Sequence, residues 1–201
     1  MIKTILFDYG KVLWDYVPFY NRIYTEVSTA IGMEKEDFIQ KYISIYQEFE
    51  TKEYPFIDWL KTITTEDKAK LGMEALQKIL DDHDLYKQFF YQDNINLMFE
   101  LKNKYQVGCL SNAESFVYDI FTFHTKDFFE FCILSWQTGY RKPQLEIFQE
   151  VFKYTQSQPS EILFIDDKEG NIAAAKSLGF QTIHLTDPAT LKEMIQSAII
   201  G

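Results

Sequence analysis

Apolar positions along the chain change period twice. Ile2, Ile5, Leu6 and Phe7 form a short apolar run that stops at Asp8, the pattern of a strand covered on both faces in a parallel sheet. From residue 15 to about 92 the spacing is helical and strand alternation is missing. Phe19, Tyr20, Ile23, Tyr24, Val27 and Ile31 mark a first helix, with Pro18 in its first turn and Gly32 as its stop. Phe38, Ile39, Tyr42, Ile43, Tyr46 and Phe49 mark a second, and a Pro55-led piece carries Phe56, Trp59 and Leu60. After a Thr64-x-x-Asp67 cap signature, Ala69, Met73, Leu76, Ile79 and Leu80 mark a fourth. The apolar faces of these helices are expected to make a bundle core.

From residue 94 strands and helices alternate. Val107, Cys109 and Leu110 predict a strand that ends at Ser111-Asn112-Ala113, and Phe131 to Ser135 predict another after an aromatic-rich helix. Arg141-Lys142-Pro143 should open a helix bearing Ile147, Phe148, Val151 and Phe152, with Lys142 held at its N-terminus. Ile162 to Ile165 predict a strand stopping at Asp166-Asp167, followed by an Ala-rich helix ended by Gly179, a strand at Thr182 to Leu185, and a final helix. Such alternation predicts an α/β fold, a doubly wound, Rossmann-like parallel sheet. The expected division is a core of residues 1–14 and 93–201 with a helical-bundle cap of residues 15–92 inserted.

Composition narrows the partners. In 201 residues the formal net charge is −10 and no Lys/Arg cluster occurs, so nucleic acid is not an expected partner. No apolar run approaches the ~18 residues of a bilayer span and no leader is recognisable, so no membrane association and a cytoplasmic location are expected. Cys109 and Cys132 both lie in strand runs and read as small core residues. Aromatic residues make up 17% of the chain, enough for a large aromatic core or an aromatic-lined pocket.

The candidate chemistry lies where strands end, because ligands of open α/β sheets bind at the carboxyl edge. Asp8, Ser111, Lys142 and Asp166-Asp167 should all reach that edge. Asp8 alone could be nucleophile, metal ligand, base, or a turn cap. Three crowded carboxylates call for a cation, and oxygen donors without His or Cys favour Mg²⁺. A hydroxyl from Ser111 and an ammonium from Lys142 suit a phosphoryl group.

With these residues in view, the chain resembles the haloacid dehalogenase superfamily of hydrolases. The carriers are Phe7-Asp8-Tyr9-Gly10-Lys11-Val12-Leu13, Leu110-Ser111-Asn112, Arg141-Lys142-Pro143 and Phe164-Ile165-Asp166-Asp167-Lys168-Glu169-Gly170-Asn171. The resemblance implies a helical cap after the first strand. It implies Asp8 as the nucleophile that forms an aspartyl-phosphate, and Ser111, Asn112 and Lys142 as phosphoryl contacts. It further implies Mg²⁺ held by Asp8, the Gly10 carbonyl, Asp166 and Asp167, with Asp15 a weaker carry-over, and a small phosphorylated metabolite as substrate.

One departure matters. Phosphatases of the family carry a second Asp two residues after the nucleophile as general acid, and here that position is Gly10. Losing such a group costs on the order of 10²- to 10⁴-fold. A good leaving group suffers less, and the sugar-1-phosphate phosphatase branch that the chain resembles shares the Gly, so a phosphatase biased toward sugar-1-phosphates or other activated monoesters is expected. Two other readings fit parts of the pattern: a dehalogenase attacking carbon with Asp8, and a non-catalytic member binding a phosphometabolite or protein. Lys11 could supply the missing proton or be a surface residue, Arg141 could add charge beside Lys142 or be surface, and His184 reads as a hydrogen-bonded edge imidazole. His83 and His124 have no partner that can be named from sequence, and monomer and homodimer remain equally open.

Overall fold

The computed structural model describes residues 1–200. Five parallel strands form one sheet in the order β3-β2-β1-β4-β5: β1 (Thr4–Phe7), β2 (Gln106–Ser111), β3 (Phe131–Leu134), β4 (Ile162–Asp166) and β5 (Gln181–His184). Strand order reverses at β1, which pairs with β2 on one side and β4 on the other. This is the doubly wound sheet that the alternation predicts. The period of two along each strand explains its two cores. Ile5, Phe7, Val107, Cys109, Leu163 and Ile165 face one apolar layer, whereas Leu6, Leu110, Phe131, Ile133 and Phe164 face the other.

Between β1 and β2 the chain forms α1 (Tyr16–Ile31), α2 (Lys35–Phe49), α3 (Phe56–Ile63), α4 (Glu66–Leu80), α5 (His83–Lys87) and α6 (Gln92–Leu101). Helix α1 lies against α2 and α4, and α3 against α4. Asp15 caps α1 through the Val17 N–H, and Gly32 ends it in the left-handed conformation at φ 67°. The expected Thr64-to-Asp67 cap does not form. Thr65 takes the N-cap position and its hydroxyl makes no cap bond, so α4 starts one residue later than the signature implies.

Beyond β2 follow α7 (Tyr118–Thr125), α8 (Ser135–Thr138), α9 (Leu145–Gln149), α10 (Glu169–Ser177) and α11 (Leu191–Ile200). The helix expected directly at Pro143 begins only at Leu145, with Gln144 as N-cap, and tightens into a 3₁₀ turn at Glu150–Lys153. Lys142 therefore sits in the loop ahead of α9 and not in its first turn. What fixes it is described next. No helix of the described residues is long and apolar enough to cross a membrane.

Candidate active site

Asp8 leaves β1 at the carboxyl edge, its backbone N–H still bonded to the Ile165 carbonyl, so the flanking strand dictates its direction. Oδ1 accepts three bonds: from the Tyr9 N–H at 2.7 Å, the Ser111 hydroxyl at 2.9 Å and the Lys142 ammonium at 2.9 Å. Oδ2 has no such partner among the described residues. A carboxylate clamped through one oxygen presents the other in a fixed direction.

Lys142 reaches this point from the loop after β3 because Asn112 grips its backbone at both ends. The Asn112 amide donates to the Lys142 carbonyl at 3.0 Å and accepts from its N–H at 2.8 Å. The residue is only 2% exposed, and its side chain bridges Asp8 to Asp166, which it meets at 2.7 Å. Burial works against this ammonium, but Asp166 and Asp8 outweigh it and hold it above the usual lysine range. Asn112 is a clamp on Lys142 that uses one of its two amide N–H groups and one lone pair of its oxygen.

Asp166 is fully buried and already well partnered. Oδ1 accepts from the Lys168 N–H and the Asn171 amide, and Oδ2 from Lys142 and the same Asn171 amide. Asp167, half-buried, carries no such set, and burial followed by the Asp166 charge raises its carboxyl. Asp8, Asp166 and Asp167 each bring one oxygen within 4.8 Å of the others, a donor set that fits a hard divalent cation. Burial is the main reason that the Asp8 carboxyl is pushed up to about 6; Lys142 opposes this, and the Asp166 and Asp167 charges reinforce it.

The other sequence candidates lie elsewhere. Lys11, at φ 61°, turns its ammonium to Asp15 at 2.6 Å. Asp15 is thereby occupied as helix cap and ion-pair partner. Arg141 pairs with Glu50, the C-cap of α2, at 2.7 Å and lies over the Tyr46 ring. His184 donates to the Asp167 carbonyl at 3.0 Å, and His83 and His124 meet each other at 3.1 Å, outside the site. Cys109 and Cys132 are free thiols on adjacent strands.

Gly10 has a steric neighbour. A Cβ added there would lie 2.9 Å from Cδ1 of Tyr16, so the tyrosine ring fills the space that a side chain at position 10 would need. Tyr16 belongs to a cavity above Asp8 that several residues read as bundle core also line: Tyr20 and Tyr24 on α1, Tyr42 and Tyr46 on α2. Glu114, three residues past Ser111, closes it from the sheet side. Its carboxylate accepts from the Tyr20 hydroxyl at 2.6 Å and the Tyr42 hydroxyl at 2.7 Å. Burial raises the Glu114 carboxyl against the pull of those two bonds, and burial likewise pushes Glu50 up to about 7. The signal available in sequence was the i, i+4 spacing of tyrosines, Tyr16-Tyr20-Tyr24 and Tyr42-Tyr46, which forms hydroxyl-bearing stripes within the apolar faces.

The motif order and geometry meet an independent observation at this point: the profile of the haloacid dehalogenase-like hydrolases matches residues 2–179. The chain belongs to that family. It is 30% identical over 197 residues to D-ribitol-5-phosphate phosphatase of Bacteroides thetaiotaomicron, covering 90% of this chain and 91% of that protein. A haloacid dehalogenase family enzyme from Bacteroides thetaiotaomicron, solved with magnesium and inorganic phosphate, superposes with a TM-score of 0.66 at 24% identity, covering 91% of this chain and 93% of that one. A 2-haloacid dehalogenase from Pseudomonas syringae pv. Tomato superposes at 0.71 with 18% identity, over 98% and 99% of the two chains. At these identities the structural likeness speaks for the fold, and family membership makes this chain a haloacid dehalogenase-like hydrolase.

Proposed function

We propose that this hydrolase is a Mg²⁺-dependent phosphatase that cleaves a small phosphorylated sugar or sugar alcohol through an aspartyl-phosphate on Asp8. The observation that carries the reading is the clamped Asp8 carboxylate, with one oxygen held by three donors and the other unengaged, in a residue that clusters with Asp166 and Asp167. In this reading residues 15–92 form the cap over a core of residues 1–14 and 93–201.

Asp8 Oδ2 attacks phosphorus and the P–O bond to the alcohol breaks. The third N–H of Lys142 holds a phosphoryl oxygen as charge spreads over it, and Ser111 holds another once its single O–H turns from Asp8 Oδ1. Asp8, Asp167, Asp166 and the Gly10 carbonyl would hold Mg²⁺, which when bound offsets the charge of the carboxylates and the phosphoryl group. Water then cleaves the acyl phosphate. Gly10 gives no proton to the departing oxygen, which supports esters of more acidic alcohols, the sugar-1-phosphates among them; the similarity to a ribitol-5-phosphate phosphatase supports polyol esters of the same size. Carbon–halogen cleavage is the weaker reading, since it requires no ion and the Asp166 and Asp167 charges would oppose attack by Asp8.

The test is phosphate release from a panel of sugar, polyol and aryl phosphates. Activity that needs Mg²⁺, disappears with a chelator, and rises with the acidity of the leaving alcohol is the expected outcome. Turnover of haloacids but no phosphate ester would overturn the reading.

A further inference from the structure

Glu114 has a place in the site that the hydrolytic steps leave unused. It is 8% exposed, faces the same cavity as Asp8, and uses one lone pair of each oxygen on Tyr20 and Tyr42, which leaves acceptor capacity on both. Two nearby cations are committed, Arg141 to Glu50 and Tyr46 and Lys142 to Asp8 and Asp166, whereas Lys168, exposed and with no ion-pair partner among the described residues, also lines the cavity and partly offsets Glu114. The buried charges of the upper cavity wall are the carboxylates of Glu114 and Glu50. The cavity also offers aromatic faces for carbon skeletons, and its wall contains the Trp136 indole N–H, buried with no partner among the described residues.

Resting on the phosphatase reading, we propose that Glu114 selects the alcohol: it accepts a hydrogen bond from a hydroxyl of an uncharged polyhydroxy leaving group and excludes a leaving group that carries its own negative charge. Two like charges enclosed in one desolvated cavity repel far more strongly than in water. A tyrosine-clasped amide would support the two helices nearly as well as a carboxylate does, so the charge itself is what the role requires.

The experiment uses the full chain with Mg²⁺ and two esters of equal length, an alditol phosphate and the aldonate phosphate in which the far CH₂OH is a carboxylate. An aryl phosphate reports whether the phosphoryl end works at all. Wild type should favour the alditol ester by about tenfold or more in kcat/KM, mainly through KM. Glu114→Gln should bring that ratio close to unity by improving the aldonate KM. Tyr20→Phe, which loses a bond but keeps the charge, should retain the preference. A wild-type enzyme indifferent to the carboxylate, or a ratio unchanged in Glu114→Gln, overturns the proposal while the phosphatase reading stands. Failure on all three esters brings down the phosphatase reading and this one with it. Should Glu114→Gln not fold, the wild-type and Tyr20→Phe ratios still decide, because loss of the preference in Tyr20→Phe would assign it to shape and not to charge.

Discussion

Asp8 shows how a single residue couples chemistry to stability. Its folded carboxyl, at about 6, lies above the ordinary 3.8, so in chelator the fold gains from protonation below about pH 4 and loses that gain as pH rises through 6. A melting temperature that falls between pH 4 and 7 in chelator is expected, with Mg²⁺ reversing the fall. Asp8→Asn should lessen this slope, the raised Glu50, Glu114 and Asp167 carboxyls keeping the remainder, while lowering phosphate release by more than about 10³-fold. Gly10 makes a second case. Restoring an acid by Gly10→Asp alone should destabilise the protein without raising the rate, because the new Cβ meets the Tyr16 ring. Combined with Tyr16→Ala it should fit, and the dependence of the rate on leaving-group acidity should weaken.

At the level of elements, close approach governs the helices. Gly72 of α4 faces Ile31 of α1 and Leu60 of α3, and a Cβ there would lie 2.9 Å from each. Gly72→Val is expected to force these helices apart, at about 1–3 kcal/mol, measurable as a lower denaturation midpoint. The sheet and the residues at its edge were legible in sequence because strands buried on both faces leave apolar runs, each stopping at a polar residue that reaches the edge: Asp8, Ser111, Asp166. The cavity side was not legible. Tyr20 and Tyr42 share the helical spacing of Phe19 and Phe38, and only the packing of α1 against α2 decides which stripes enter the core and which turn toward Glu114. Lys142 was correctly placed at the edge but for an incomplete reason, since the clamp from Asn112 connects residues 30 positions apart. The Thr64 signature failed because a cap motif describes a local option that Thr65 takes instead.

Across the whole molecule, polar contacts tie the helices after β1 to the strand-edge loops. Glu114 holds Tyr20 and Tyr42, Arg141 holds Glu50, and the Ser115 hydroxyl accepts from the Tyr54 N–H. Beneath them, β1 is the middle strand, hydrogen-bonded on both sides, with the two neighbouring strands delivering Ser111 and Asp166. Such a centre has no frayed edge from which to loosen early. The geometry around Asp8 is therefore set when the chain folds and not when a substrate arrives, and on heating, catalytic output and backbone ellipticity should vanish together at one temperature.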